Sequence, residues 1–431
     1  MTRVAVVGLG YVGLTLAVSL ARRGVTVVGY DREPSVVAAL QAGRAHLYEP
    51  GIAEELGALL GDRLRVVATL DSEPVDAAVI CVSTPVDAAT HEPVLEPLRD
   101  AARAVANALP PDTLVVVRST VPVGASRAVV LPELVARWGR ARLAFCPERT
   151  IQGQALRELE ELPQVVGALD EPSREAAEAL FRRLTPRTVP VSSLEAAEMV
   201  KLINNCHTDL IYSYGNEVAL MAERLRLDPL ELIRAANLDY PRPDLARPGF
   251  VGGGCLSKDP YILIESARAV GHKPWLVGES RALNEHLPRH VARRFLELLR
   301  ETRGVVTGAR VLLLGFAYKG WPPTDDMRGA PVLPMLEVLN AAGLVLRGHD
   351  FLVAREVLGR LGVAAMGVTE GFVGADGVLV ITNHPEYAKL DLPPLLASLR
   401  KPGLVYDCWR ILDEETVRAE AQVRYAGIGY G

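Results

Sequence analysis

The chain has 431 residues, of which 49% are hydrophobic and 23% charged, with a formal net charge of -5 at pH 7. That length exceeds one typical core, so two or three domains are expected, and the composition excludes a disordered chain. The slightly acidic balance gives no reason to expect nucleic acid or an anionic membrane surface as a partner, and no stretch approaches the roughly 20 apolar residues of a membrane span.

The first residues, MTRVAVVGLGYVG, enter a strand at once. They lack the basic region, apolar segment and small-residue cleavage site of a secretory signal, so a cytoplasmic protein is expected. Arg3 to Gly8 is a short apolar run of the kind buried on both faces of a parallel sheet. It leads into Gly8-x-Gly10-x-x-Gly13, then a helical pattern through Leu14, Leu16, Ala17 and Leu20, then a second strand, Val25 to Tyr30, closed by Asp31. GxGxxG alone is weak, but with a strand before it, a helix after it and an acid about 20 residues on, it forms a dinucleotide fingerprint. Its glycines let a pyrophosphate approach the helix N-terminus, where free N–H groups and the dipole favour anions. Asp31 suits ribose hydroxyls and repels a 2′-phosphate, which points to NAD over NADP, although the neighbouring Arg32 pulls the other way. A tight turn with an exposed aspartate is the plainer alternative.

The alternation continues. Ala77 to Val82 ends in Ser83-Thr84-Pro85, and Thr113 to Val117 ends in Arg118-Ser-Thr-Val-Pro-Val-Gly124. Ligands of open α/β sheets bind at such carboxyl ends, so Thr84 and Thr120 are candidates for contact with cofactor or substrate; turn or cap duty explains Ser119 and Thr120 equally well. Leu143 to Phe145 runs into Cys146-Pro-Glu-Arg-Thr-Ile-Gln-Gly153, and Val165 to Gly167 and Thr188 to Val191 read as the last strands of this part.

From Ser193 to about Leu225 the period becomes helical, through Leu194, Ala197, Val200, Leu202, Ile211, Val218 and Met221. So long a helix suits a connector between domains and a dimer surface. Lys201 and Asn205 lie four apart on it, hence on one face, where they can bind an oxyanion or be an ordinary solvated pair. Further helix is expected over 228–236, 258–270 and 276–303. Past Gly304 the alternation resumes with strands at 309–315, 344–347, 377–381 and 404–406; the first turn there lacks GxGxxG and offers Phe316-Ala-Tyr-Lys319 and Thr324-Asp-Asp-Met-Arg328 instead. The expected fold is therefore α/β, with two Rossmann-like doubly wound parallel-sheet domains (1–192 and 304–431) joined by a helical region (193–303).

Between the helices lies Gly249-Phe-Val-Gly-Gly-Gly-Cys-Leu-Ser-Lys-Asp259. Glycines bring main chain close to a ligand, a thiol after them is presented instead of packed away, and a nearby ammonium and carboxylate can assist it. The plainer alternative is a glycine-rich turn before a buried cysteine. The five cysteines, Cys81, Cys146, Cys206, Cys255 and Cys408, are odd in number and lack CxxC spacing, which argues against a disulfide framework and against a zinc site. Lysine is rare, with arginine carrying nearly all the positive charge, so Lys201, Lys258 and Lys319 stand out.

GxGYVG, STVPVG, PER, Lys-x-x-x-Asn, GGxCxxKD and FxxK…DDxR occur here in that order. Over essentially its whole length the chain resembles the nucleotide-sugar 6-dehydrogenases of the UDP-glucose/UDP-N-acetylhexosamine family. The resemblance implies oxidation of a UDP-sugar's C6 alcohol to a carboxylate by two NAD⁺, with Cys255 as nucleophile. It implies Lys201 and Asn205 as oxyanion stabilisers, Asp259 as holder of a water or lysine, and Glu148 and Thr120 as water-positioning groups. Gly8, Gly10, Tyr11, Val12, Gly13, Asp31, Arg32, Thr84, Thr120, Lys258 and Arg328 fall to the cofactor. Glu148, Arg149, Lys201, Asn205, Arg242, Phe250, Gly252 and Lys319 fall to the substrate. A homodimer through the central helix follows, with no metal. Pro147-Glu-Arg-Thr-Ile-Gln-Gly153 departs from the Pro-Glu-Phe-Leu-x-Glu-Gly of UDP-glucose enzymes and looks more like the N-acetylhexosamine branch, as in UDP-N-acetylmannosamine dehydrogenases; UDP-glucose and UDP-N-acetylglucosamine are the alternative substrates. Hydroxyacid-type dehydrogenases need neither Cys255 nor residues 309–431, and a nonenzymatic NAD-binding scaffold has no use for the three lysines.

Overall fold

The computed structural model describes residues 3–241 and 244–431, and packing divides the chain into two compact units, residues 1–205 with 258–274, and residues 206–257 with 275–431. The first unit is built on eight strands: β1 (Arg3–Val7), β2 (Thr26–Tyr30), β3 (Leu64–Val67), β4 (Ala77–Ile80), β5 (Leu114–Val117), β6 (Arg142–Phe145), β7 (Gln164–Ala168) and β8 (Thr188–Pro190). They lie in the order β3-β2-β1-β4-β5-β6-β7-β8. Every residue of β4 and β5 is buried, which is why these strands read as continuous apolar runs and not as alternation. In register, Val7 stands beside Tyr30 on one side and Ile80 on the other. The turns after β1, β2 and β4 therefore leave the sheet at one edge, where the strand order reverses and open α/β sheets bind ligands.

The sheet is parallel except between β6 and β7, where Ala144 pairs antiparallel with Ala168. Periodicity carries no information about direction, so that reversal is invisible in sequence. The short edge strand β3 also escapes notice, because Leu-Arg-Val-Val alternates over only four residues.

The second unit holds β9 (Arg310–Leu314), β10 (Val345–His349), β11 (Ala364–Ala365), β12 (Gly377–Val380), β13 (Gly403–Asp407) and β14 (Val423–Ala426), all parallel, in the order β11-β10-β9-β12-β13-β14. The expected two doubly wound sheets with helical structure between them in sequence are thus present, each with its order reversing between its first and fourth strands. The long helix is Leu194–Leu225, 32 residues, or about 48 Å at 1.5 Å per residue. Its residues to Asn205 belong to the first unit and those from Cys206 to the second. Among the described residues, no helix is long and apolar enough to cross a membrane, and no group of three or more His, Cys, Asp or Glu side chains is placed to hold a metal ion.

One further difference concerns the glycine-rich stretch. Expected as a loop, it contains a helical turn, Gly253–Leu256, locked by a 2.6 Å hydrogen bond from the Ser257 hydroxyl to the Gly253 carbonyl.

Candidate active site

In the first unit, Gly8 takes φ +88°, and its N–H donates to the Tyr30 carbonyl at 2.8 Å. A Cβ on Gly13 would sit 1.8 Å from the Gly8 carbonyl oxygen, so the turn and the helix Tyr11–Arg22 touch at a distance only glycine allows. Gly10, at the start of that helix, is different: a Cβ there would meet nothing within 4 Å. The glycines at 8 and 13 serve the fold, and the one at 10 leaves an open approach to the helix N-terminus. The Asp31 carboxylate accepts from the N–H of Leu9 at 2.7 Å and of Glu33 at 2.9 Å, which holds a negative charge beside the turn. Thr84 is buried after β4, and its hydroxyl has no partner among the described residues. An open helix N-terminus, a fixed carboxylate and an orphaned hydroxyl at one sheet edge fit a dinucleotide.

Other residues named from sequence for the cofactor are placed differently. The Tyr11 hydroxyl donates to Glu49, whose carboxylate also accepts from the N–H groups of Gly153 and Ala155 at 2.7 Å, so this ring ties two loops together; Val12 follows in the same helical turn. Arg32 is exposed and pairs with Asp100 at 3.7 Å.

Arg118, at the end of β5, is fully buried. It donates to Glu148 through Nε at 3.1 Å and Nη2 at 2.6 Å, and to the Cys146 carbonyl and the Gln164 amide through Nη1. The second Glu148 oxygen accepts from the N–H of Arg149 and of Thr150. Burial opposes ionisation of Glu148, but Arg118, the Thr150 N–H and the more distant Lys201 outweigh it and hold its carboxyl below the ordinary range. Glu148 is therefore a fixed anion. The sequence reading passed over Arg118; the available signal is a charged residue ending a run of buried strand, which demands a partner. The neighbouring thiols Cys81 and Cys146 are pushed up to about 12 by burial and are inert. Arg149 turns its guanidinium to the Pro163 carbonyl.

Lys201 is buried on the long helix, and its ammonium makes no side-chain hydrogen bond among the described residues. One turn on, the Asn205 amide donates to Asp259, a wholly buried carboxylate whose other oxygen takes the Lys258 ammonium at 2.6 Å. Thr120, half-buried, follows β5 two residues beyond Arg118.

In the second unit, Cys255 is exposed while the other four cysteines are buried. Of the glycines before it, Gly252 and Gly253 are sterically required, and Gly254 lies against a side-chain end. A Cβ on Gly252 would lie 2.2 Å from the Gly329 carbonyl oxygen, on Gly253 2.7 Å from the Tyr318 ring, and on Gly254 2.8 Å from the Arg328 guanidinium; Gly253 also takes φ +87°. The turn is thus pressed onto Phe316–Arg328, the second motif singled out in sequence. Arg328 is held by Asp326 through Nε at 3.0 Å and Nη2 at 2.6 Å, and its charge lies within electrostatic reach of the Cys255 sulfur. Burial, and then the Cys255 charge, push the Tyr318 phenol far above its ordinary range, so it stays protonated. Lys319 places its ammonium 5.4 Å over that ring, and Phe250 packs edge-on against Trp409. Arg242 lies outside the described residues.

The family models of the UDP-glucose/GDP-mannose dehydrogenases match in three consecutive parts: the NAD binding domain over residues 2–185, the central domain over 195–286 and the UDP binding domain over 312–414. A UDP-N-acetyl-D-mannosamine dehydrogenase of Pyrococcus horikoshii is 32% identical, with 100% of this chain and 99% of that protein covered. A solved UDP-N-acetylmannosamine dehydrogenase structure from the same organism superposes with a TM-score of 0.88 at 31% identity, covering 99% of each chain. A solved UDP-glucose dehydrogenase from Pyrobaculum islandicum does so with 0.86 at 31% identity, covering 100% of this chain and 98% of that one. With the dinucleotide turn formed as its glycines require, these matches establish that the chain belongs to the UDP-glucose/GDP-mannose dehydrogenase family and is an NAD-dependent nucleotide-sugar dehydrogenase.

Proposed function

We propose that the chain oxidises the C6 alcohol of UDP-N-acetylmannosamine to the carboxylate, through a covalent intermediate on Cys255. The observation that carries this reading is that Cys255 alone among five cysteines is exposed, on a turn where Gly252 and Gly253 leave no room for a side chain against the Gly329 carbonyl and the Tyr318 ring. NAD⁺ supplies the hydride acceptor, once for the alcohol and once for the thiohemiacetal. After the first oxidation the Cys255 thiolate adds to the C6 aldehyde; the C–S bond forms and the carbonyl oxygen becomes an alkoxide. The Lys201 ammonium, without a hydrogen bond of its own among the described residues, and the Asn205 amide, aimed by Asp259, stabilise that oxygen. Loss of the second hydride leaves a thioester. Water then attacks it, the C–S bond breaks and the thiolate departs. Glu148, ionised in its Arg118 pair, orients the water with Thr120 as an acceptor and does not serve as an acid. Lys319 binds the UDP moiety and Arg328 the cofactor end of the site, with Phe250, Gly252, Arg149 and Arg242 completing the substrate contacts.

The sugar assignment is supported by the mannosamine dehydrogenase at 32% identity and by the PERT form of residues 147–150. UDP-glucose is the second reading, favoured by the similarly superposing Pyrobaculum structure. We also assign a homodimer through the central helix. Met199, Ile203, Ile211, Tyr214, Met221 and Leu225 are exposed, and at 100° per residue they fall within about 120° of one another, one apolar stripe that a second copy covers. The deciding experiment is incubation with NAD⁺ and a panel of UDP-sugars. UDP-N-acetylmannosamine should be consumed fastest, with two NADH per sugar and no free aldehyde; one NADH per sugar contradicts the covalent route, and a preference for UDP-glucose overturns the sugar assignment.

A further inference from the structure

The Cys255 turn is short, rich in glycine and exposed at its working residue, and the Ser257 bond to Gly253 closes it only within itself. What holds it lies behind it in the second unit. Arg281, on the helix Trp275–Arg303, is almost wholly buried; its Nη1 donates to the Leu256 carbonyl at 2.8 Å and its Nη2 reaches the Val251 carbonyl at 3.5 Å. One guanidinium therefore grips the chain on both sides of Cys255. The same Nη1 donates at 2.7 Å to Asp209, on the long helix. Asn284, one turn along from Arg281, donates to the Asp209 carboxylate and to its main-chain carbonyl, both at 2.9 Å. Asn284 in turn accepts from the Asn216 amide at 2.9 Å, and the Asn216 oxygen accepts from the N–H of Gly249 at 2.8 Å. Asp209, Asn216, Arg281 and Asn284 are each at most 2% exposed, so four polar side chains have left water to make these bonds.

We infer that the Asp209–Arg281–Asn284–Asn216 network is the positioning device for the nucleophile, fixing Gly249, Val251 and Leu256 so that the Cys255 sulfur is held at its reacting position. None of the four reaches a reacting atom; they act through the turn. Three features separate this from general core satisfaction. Apart from the Asp209 carbonyl on the long helix, the main-chain groups it bonds all belong to the turn, it contacts both ends of the turn, and it employs arginine, whose planar fork holds two carbonyls and a carboxylate in fixed directions where lysine offers a point charge. The second Asp209 oxygen and the Arg281 Nε make no hydrogen bond among the described residues, but the bonds that are made link all four side chains to the turn, and linked buried polar groups specify one geometry more sharply than an apolar core does.

The inference rests on the reading of Cys255 as the nucleophile, and its test is chosen so that the two can fail separately. In the full chain, Arg281→Lys keeps the charge and removes the fork. Amide hydrogen exchange over residues 249–257 is compared with the unaltered protein, alongside kcat and the KM for NAD⁺. Loss of charge-assisted bonds to buried carbonyls is expected to speed exchange in that segment by at least about tenfold and to lower kcat at least about tenfold, with the NAD⁺ KM within about twofold. Exchange unchanged in a folded variant overturns the inference, as does faster exchange with undiminished kcat. Should Arg281→Lys fail to fold, Asn216→Ala, which frees only the Gly249 end, is read by the same two criteria. The exchange reading responds to the network even if Cys255 proves chemically idle, whereas Cys255→Ser reports on the nucleophile with the network intact.

Discussion

Two alanine substitutions in the dinucleotide turn should separate what the glycines do for the fold from what they do for the cofactor. At Gly13 the added methyl would lie 1.8 Å from the Gly8 carbonyl oxygen, where 3.4 Å is ordinary contact. The obstacle is main chain, already fixed by the Gly8 bond to Tyr30, so helix and turn must separate by more than an ångström. Overpacking of this kind costs about 1–3 kcal/mol, and a backbone neighbour puts it at the upper end. At roughly 2–4 °C per kcal/mol for a unit of this size, Gly13→Ala should melt about 6–12 °C lower, with NAD⁺ binding weakened through the displaced helix N-terminus. At Gly10 the methyl meets nothing within 4 Å, and the backbone is at φ −64°, which alanine adopts readily. The only expected stability effect is the small loss of replacing a glycine cap, within about 1 kcal/mol. The methyl does stand where a pyrophosphate must approach, so the Kd for NAD⁺ should rise at least about tenfold, more than 1.4 kcal/mol. Thermal melting and calorimetric NAD⁺ titration of both variants decide the matter. Wild-type NAD⁺ affinity in Gly10→Ala would refute the placement of the pyrophosphate, and an unshifted melting point in Gly13→Ala would refute the steric argument.

Asp31→Ala should narrow the preference for NAD⁺ over NADP⁺ in paired KM measurements; equal use of both cofactors by the unaltered enzyme contradicts the ribose assignment. Because the Glu148 carboxyl is depressed in the folded state, its stabilising contribution is fully present above the ordinary value of 4.5 and is lost as pH falls through the depressed one. Glu148→Gln, which leaves Arg118 buried without its anion, should be about 3–5 kcal/mol less stable at neutral pH, with the gap in urea denaturation shrinking below about pH 4.5; a gap that widens toward acid contradicts the ionised pair. Met199→Glu with Tyr214→Glu should convert a dimer to monomer in sedimentation, with each chain still folded; an unchanged sedimentation coefficient removes the helix from the interface.

How much of this is legible in the sequence depends on the range of the interaction. Strands β1, β4 and β5 announce themselves because burial on both faces writes an unbroken apolar run, and Gly8, Gly13 and Asp31 follow in a fixed local order. The long helix shows its period directly. The antiparallel step between β6 and β7 and the edge strand β3 leave no such trace, since direction and edge pairing are settled by partners far along the chain. The residues of the site divide in the same way. Cys255 and its glycines are visible as a motif, yet the reason for Gly252 and Gly253 is the Gly329 carbonyl and the Tyr318 ring, more than sixty residues on. Arg118, Glu49 and Arg281 were missed because a buried charge is recognised by its partner, and each partner here is remote in sequence.

The central claim, a covalent intermediate on Cys255, is tested most directly by Cys255→Ser. The replacement preserves size and a hydrogen-bonding group and exchanges a thiol for a hydroxyl, a far weaker nucleophile. The measurement is a burst assay with NAD⁺ and the preferred UDP-sugar, coupled to intact-protein mass spectrometry of the quenched mixture. Steady turnover should fall by at least about a thousandfold, leaving no more than a slow single NADH equivalent or a stalled adduct, while the melting temperature and NAD⁺ affinity stay unchanged. Near-normal steady turnover with two NADH per sugar and no adduct would take Cys255 out of the mechanism.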